Sequence, residues 1–175
     1  PFCSSVCCMH ATKQAVLTRS HDPSTEAVIY FMDIRAHGKG FDDFVNRSKD
    51  DKSATYVRGR PSKIEETENG DLVLFVEDTL EGKQKQVKAD LVVLSVAAAP
   101  NEGAKQLADT LGIETDPYGF VSRKDPAVSA VETNRDGVYV AGSASGPQVI
   151  PDCVAQASAA AARAQLFLTG SRVEE

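Results

Sequence analysis

TNRDGVYVAGSASGPQVIPDCVAQASAAAARAQ, residues 133–165, contains the clearest strand–loop–helix pattern in the sequence. The run 137–142 predicts a short buried strand ending in glycine, and a loop rich in Gly and Ser follows. A long helix is predicted from Pro151 to about Leu168, because proline suits a first helical turn and alanine is the best helix former. Small loop residues and an open helix start can approach an electron-rich ligand. An alanine-rich core helix after an ordinary loop is the alternative interpretation.

Upstream, the pattern alternates between strands and helices. AVIYFMDIR (27–35) and ATYVRG (54–59) predict strands, and 41–49 between them predicts a short amphipathic helix. Strand, helix, strand is typical of a parallel sheet, so the sequence predicts an α/β fold. A further helix is predicted over 4–19.

A small antiparallel β-meander is predicted next. Asn69-Gly70-Asp71 and Glu81-Gly82 are turn signals between apolar or alternating runs. The meander leads into ADLVVLSVAAAPN (89–101), which predicts a buried strand. Beyond it we expect a helix over 103–111, ended by Gly112, and a strand over 119–125.

Composition excludes several classes of function. The 175 residues carry a net charge of −6, which argues against a nucleic-acid or anionic-membrane partner. The longest apolar runs are too short to span a membrane, and no secretory signal is visible, so a cytoplasmic protein is the default expectation. The absence of an initiator Met suggests part of a longer protein.

Two stretches resemble the two-dinucleotide-domain flavoproteins, the class of glutathione and thioredoxin reductase. TNRDGVYVAG is similar to their second FAD-binding motif, and Thr133 and Gly142 match it, whereas Ser143 stands where the class has Asp. ADLVVLSVAAAPN is similar to the strand on which the chain crosses back to the FAD domain. The resemblance implies a partial two-dinucleotide-binding-domain architecture, FAD/NAD(P)-binding and thioredoxin reductase-like. Residues 1–98 would close the inserted nucleotide-binding-like domain and residues 99–175 the FAD-binding domain.

A narrower resemblance covers nearly the whole chain. It is to the heterodisulfide reductase A-subunit family of iron–sulfur flavoproteins, and it is carried by motifs in matching order: CSSVCCMHATKQA, IYFMDIRAHGKGFDDF, VRGR, EDTLEG, DLVVLS and GPQVIPDCVAQASAAAARA. It implies an FAD- and iron–sulfur-containing oxidoreductase subunit that passes electrons between a donor module, flavin and clusters, with flavin-based bifurcation as an extension. Other members of the complex are the expected partners, and a homodimer is possible. The residues expected at the flavin are Thr133, Gly142, Ser143, Pro151, Asp152, Val154 and Ala155.

Three cysteines, Cys3, Cys7 and Cys8, lie within six positions. Thiolates are the usual iron–sulfur ligands, normally four per cluster. On a helix Cys3 and Cys7 would share a face, with Cys8 turned by about 100°. A redox-active or zinc site and inert buried thiols are the alternatives. The resemblance implies a [4Fe-4S] cluster whose fourth ligand lies outside this chain.

Lys13 and Cys153 complete the candidates. The resemblance places Lys13 near the reactive flavin nitrogen, a catalytic position, while a solvated surface lysine is the alternative. Cys153 is expected to be a small buried residue. Two other functions stay open: a pyridine-nucleotide disulfide oxidoreductase, and a non-catalytic domain that docks between subunits.

Overall fold

The computed structural model describes residues 3–170 and shows a mixed helix-and-strand protein. The chain divides into two compact units, one formed by Cys7–Val96 and the other by Ala97 onward with the residues before Cys7. The elements are α1 (Cys7–His21), β1 (Val28–Phe31), α2 (Phe41–Asp50), β2 (Thr55–Arg58), β3 (Pro61–Glu66), β4 (Leu72–Asp78), β5 (Lys83–Ala89), α3 (Ala104–Leu111) and α4 (Ile150–Thr169), with a short 3₁₀ helix at Gly142–Ser145. No helix described between residues 3 and 170 is long and apolar enough to cross a membrane.

The predicted strand–helix–strand unit is confirmed. β1 and β2 pair in parallel, with Val28 opposite Thr55, and α2 connects them. The helix starts after Gly40, whose φ of 77° is a left-handed value that glycine adopts without strain. Its Val45 is only 1 % exposed and forms part of the core.

Hydrogen-bonded hydroxyl groups join α1 and α2 to β2. The Tyr56 hydroxyl lies 3.1 Å from Thr12 Oγ1 and 2.8 Å from Ser48 Oγ. Ser48 Oγ donates to the Val45 carbonyl at 2.7 Å, so it accepts from Tyr56, which in turn accepts from Thr12. Thr12 and Ser48 are 1 % and 2 % exposed, so these bonds satisfy groups that water cannot reach.

The predicted meander is also confirmed. β3, β4 and β5 form an antiparallel sheet in that order. Gly70 and Gly82, with φ of 85° and 65°, lie in its two turns, as the turn signals require. Leu74 and Val76 of the central strand are buried.

The predicted buried strand over 89–101 is wrong. β5 ends at Ala89, and residues 90–101 form neither strand nor helix. Leu91 and Leu94 are 78 % and 69 % exposed. An apolar run becomes a buried strand only where another element pairs with it and covers it, and within residues 3–170 no strand pairs with 91–96.

The other unit is built around α3, α4 and irregular paired segments. The predicted helix ended by Gly112 is confirmed, since Gly112 is its left-handed C-cap, and so is the long helix from Pro151. The strand predicted over 119–125 is wrong, because only isolated bridges form there. The short strand predicted over 137–142 does not form either: pairing there is limited to a bridge between Glu132 and Tyr139 and a hydrogen bond between Val140 and Val131.

Candidate functional site

The loop between Gly142 and Val149 is held in one conformation by two glutamines. Gln156 accepts a hydrogen bond from the Gly142 N–H at 2.8 Å. Gln148 Nε2 donates to the Gly142 carbonyl at 2.8 Å and lies 3.0 Å from Ser145 Oγ. The two amides also bond to each other, Nε2 to Oε1, in both directions. The loop and the second turn of α4 are therefore one connected structure.

Sequence reasoning missed both glutamines. A lone Gln carries no motif, and its partners lie several residues away along the chain. Gly142 is among the predicted residues, and its φ of 67° is a left-handed value that favours glycine; its nearest side chain is Cys153. Cys153 is half-buried against this position, whereas full burial was expected.

The first turn of α4 is open to solvent. Val149 caps the helix in an extended conformation, no side chain caps the first N–H groups, and Pro151 occupies the first turn. Ile150 and Val154 are 78 % and 60 % exposed. Asp152 lies in the same turn and places a negative charge at the positive end of the helix dipole. The arrangement thus favours a neutral or electron-rich polar group over a second anion.

Thr133 stabilises the backbone of this region. It is 3 % exposed, and its hydroxyl lies 2.9 Å from the Val138 carbonyl and accepts from the Arg135 N–H at 3.1 Å. These bonds close the turn 133–138. Ser143 and Ala155, by contrast, are exposed and available to a ligand.

The cysteine segment differs from the predicted helix over 4–19. α1 begins only at Cys7, and Ser5 has a left-handed φ of 59° that ends any helix before it. Cys3 therefore does not share a helix face with Cys7, which corrects the sequence argument. The exposed Cys3 thiol accepts a hydrogen bond from the Ser5 N–H at 3.4 Å instead.

Cys8 lies on the packed face of α1, one turn before Thr12. Its Sγ accepts the Arg35 N–H at 3.4 Å and lies 3.9 Å from the Asp33 carbonyl oxygen. Both partners follow β1, so the thiol sits where that strand ends. Cys7 is its neighbour in the first turn of α1, which contains no acidic residue.

No metal-ligand set is assembled. Among residues 3–170, no three His, Cys, Asp or Glu side chains are grouped so that they could hold a metal ion. Lys13 is exposed on α1. The roles of Lys13 and of the three cysteines therefore stay predictions.

Comparison with known proteins identifies the relatives. No protein-family model matches the chain. It is 47 % identical over 176 residues to the A subunit of the H2:CoB-CoM heterodisulfide, ferredoxin reductase of Methanothermobacter thermautotrophicus, covering 99 % of this chain and 26 % of that protein. It is 46 % identical over 162 residues to the A subunit of the H2/formate:CoB-CoM heterodisulfide, ferredoxin reductase of Methanococcus maripaludis, covering 92 % and 25 %. With the iron-sulfur A subunit of the CoB–CoM heterodisulfide reductase of Methanocaldococcus jannaschii the identity is 45 % over 161 residues, covering 91 % and 24 %.

These matches confirm the resemblance drawn from the motifs. The chain spans about a quarter of the length of the curated relatives that it matches. Over that region it is a homologue of the heterodisulfide reductase A subunit, whose members are named as oxidoreductase subunits.

Proposed function

We propose that this chain forms part of an electron-transfer subunit of a heterodisulfide reductase-type complex in the cytoplasm. The subunit passes electrons between a donor protein, FAD and iron–sulfur clusters, and it works in contact with other subunits. The observation that carries this proposal is the identity of 42–47 % with six curated A subunits over more than 90 % of the chain. Three of them are named iron-sulfur subunits. Flavin bifurcation remains an extension of the same proposal.

The loop–helix region offers groups that fit a flavin. Ser143 and Ala155 are exposed and present little side-chain bulk, and the first turn of α4 has N–H groups without a side-chain cap. Bound there, FAD would supply a carrier that accepts an electron pair and releases single electrons. The glutamine pair would keep the loop in its binding conformation. Since Asp152 adds negative charge, the ring edge is a better occupant of this helix start than the pyrophosphate.

The two-dinucleotide-binding-domain architecture belongs to this proposal. The parallel β1–α2–β2 unit, the meander and the loop–helix region occur in the order which that architecture requires. Lys13, exposed on α1, would then donate a hydrogen bond that stabilises negative charge on a reduced flavin.

The cysteines fit a cluster by their chemistry but not by their grouping. Cys7 and Cys8 lie at the start of α1, and Cys3 is outside the helix. In the described part of the chain they do not form a three-ligand set. Cluster binding would therefore require residues 3–6 to change conformation and a fourth ligand to come from elsewhere. We derive no step through the cluster.

Anaerobic reconstitution tests both cofactors. The chain is incubated with iron, sulfide and a small thiol as the fourth ligand, and FAD is titrated separately by its fluorescence. We expect iron–sulfur absorption that a Cys7→Ser/Cys8→Ser variant loses and a Cys153→Ser variant keeps. We expect FAD binding that weakens about tenfold in Gln156→Leu, which releases the loop. Equal iron–sulfur absorption in the Cys7→Ser/Cys8→Ser and Cys153→Ser variants would contradict cluster binding at α1. An FAD affinity unchanged in Gln156→Leu would contradict the flavin site.

A second candidate function is docking between subunits. The exposed apolar residues of 91–96 and the exposed start of α4 favour it, because isolated surfaces rarely leave several large apolar side chains together in water. Docking is compatible with electron transfer and needs no cofactor.

A further inference from the structure

A polar cleft lies where β2 turns into β3. It measures about 150 Å³ and is lined by Met32, Arg58, Gly59, Arg60, Glu77 and Thr79. Met32 follows β1 and Arg58 ends β2, so the cleft opens at the carboxyl end of the parallel strand pair. Ligands of open α/β sheets bind at this edge.

The floor of the cleft is rigid backbone. The Gly59 N–H donates to the Phe31 carbonyl at 2.9 Å, and the Thr79 N–H donates to the Arg58 carbonyl at 2.8 Å. Gly59 is buried and lies directly against the Glu77 carbonyl, so a side chain there would overlap that oxygen. β1, β2 and β4 are thereby fixed to one another under the cleft.

Within residues 3–170 the two arginines of the cleft have no carboxylate partner. Arg58 Nη1 donates to Thr79 Oγ1 at 3.0 Å, and that hydroxyl donates to the Arg58 carbonyl at 2.7 Å. Neither Arg58 nor Arg60 forms an ion pair with any residue in the described range 3–170. Each guanidinium therefore keeps donors for a ligand.

The negative charge of the neighbouring carboxylate, Asp78, is already balanced by a lysine. Its carboxylate pairs with Lys85 at 3.0 Å and accepts the N–H groups of Leu80 and Glu81. The hydrogen bond from Lys85 is the main cause that lowers the pKa of Asp78, and the backbone N–H groups add to it. Among the lining residues, two positive charges thus face one negative charge, that of Glu77.

One wall of the cleft is apolar. Met32 is 65 % exposed beside the arginines. A thioether side chain packs well against a flat ring, so the wall suits an aromatic or heterocyclic group.

We propose that this cleft is a binding site for a phosphate ester with a ring, of the mononucleotide kind. The phosphate pairs with Arg58 and Arg60, since the planar guanidinium matches phosphate oxygens in a bidentate way. The ring packs on Met32. This proposal does not rest on the function proposed for the flavin and cluster regions.

The test is a ¹H–¹⁵N NMR titration of the 175-residue chain with AMP, adenosine and inorganic phosphate. AMP is expected to shift the Gly59 and Thr79 amides saturably. Phosphate should shift them more weakly and adenosine should not shift them. Arg58→Gln/Arg60→Gln should weaken AMP binding at least about tenfold. The matched control Arg47→Gln/Lys88→Gln, which removes the same charge from α2 and β5, should leave it unchanged.

Three results would overturn the proposal. Adenosine shifting the same amides as strongly as AMP would show that the phosphate is not recognised. Inorganic phosphate binding as tightly as AMP would show that the Met32 wall contributes nothing. Equal loss of AMP binding in the control variant would show a general charge effect. Retained amide dispersion in each variant establishes that it is folded.

Discussion

Among the glycines of residues 3–170, Gly59 has the least room for a side chain. It is buried, and a Cβ would overlap the Glu77 carbonyl oxygen. That oxygen belongs to β4, so the overlap cannot be relieved by rotating a side chain. Position 59 in the VRGR stretch therefore requires glycine, because a larger residue does not fit there.

Replacing this glycine should cost much stability. Gly59→Ala is expected to lower the free energy of unfolding by about 3 kcal/mol, because the backbone of β4 must move. Gly103→Ala is the matched control: its nearest neighbour would be 3.6 Å away and its φ of −79° suits alanine, so a change within about 0.5 kcal/mol is expected. Urea denaturation of both variants measures the difference. Similar losses would show that the contact at Glu77 is not the cause.

Asp78 should make the free energy of unfolding depend on pH. Its pKa is lowered, first by the hydrogen bond from Lys85 and then by backbone N–H groups. A carboxyl whose pKa is lowered by folding contributes stability above its unfolded value, and this contribution is lost as the pH falls through the folded value. Unfolding followed from neutral pH to below 3.8 should therefore show a smaller decline in Asp78→Asn than in the parent chain. Glu68→Gln, in the exposed turn before β4, is the control and should follow the parent. If the free energy of unfolding declined equally with pH in the parent chain, Asp78→Asn and Glu68→Gln, the role of Asp78 would be contradicted.

Among the secondary-structure elements, the position of α1 matters most for the cysteines. The Thr12–Tyr56–Ser48 hydroxyl groups attach α1 to β2 and α2. Since Cys8 is one turn before Thr12, the same attachment holds its thiol against the residues after β1. The geometry of the first turn of α1 thus depends on a tyrosine far away in sequence.

Removing the tyrosine hydroxyl tests this attachment. Tyr56→Phe leaves two buried hydroxyls without one partner, and we expect a loss of about 2 kcal/mol. Tyr30→Phe is the matched control, as Tyr30 is half-buried on β1 and its hydroxyl makes no hydrogen bond within residues 3–170. A thiol-reactivity assay should show faster modification of Cys8 in Tyr56→Phe alone. Equal rates in both variants would indicate that α1 is held by other contacts.

Some secondary-structure elements could be predicted from the sequence and others could not. The β1–α2–β2 unit, the meander, α3 and α4 follow from local periodicity and turn residues, which act over a few positions. Residues 91–96 were misassigned because burial depends on a partner strand, which periodicity cannot reveal. The helix start at Cys7 depends on the conformation of Ser5, and the Gln148–Gln156 pair depends on contacts across a loop. Neither the helix start nor the glutamine pair can be recognised from neighbouring residues in the sequence.

For the molecule as a whole, the exposed apolar stretch is the main feature. Leu91, Val93, Leu94 and Val96 are each more than 65 % exposed. Exposed apolar patches often mark surfaces of interaction. This agrees with a chain that corresponds to only part of its relatives.

Two polar substitutions in residues 91–96 should reduce the binding of an apolar dye. Val93→Ser/Leu94→Ser is expected to lower the fluorescence of a bound apolar dye on the order of twofold, with little change in unfolding free energy, since neither side chain is buried. Val45→Ser, a core substitution, is the contrasting variant: it should destabilise the chain and raise dye binding. Unchanged fluorescence in the double variant would place the dye elsewhere and would count against docking through 91–96.

The division of the chain has a consequence for its biosynthesis. Cys7–Val96 is one uninterrupted segment, whereas its companion unit combines the residues before Cys7 with those from Ala97 onward. At translation speeds of about 5–20 residues per second, the uninterrupted segment is complete while synthesis of residues 97–170 still takes on the order of ten seconds. The unit that contains Cys3 is therefore completed last, although the Cys3 thiol is exposed in the finished structure as well.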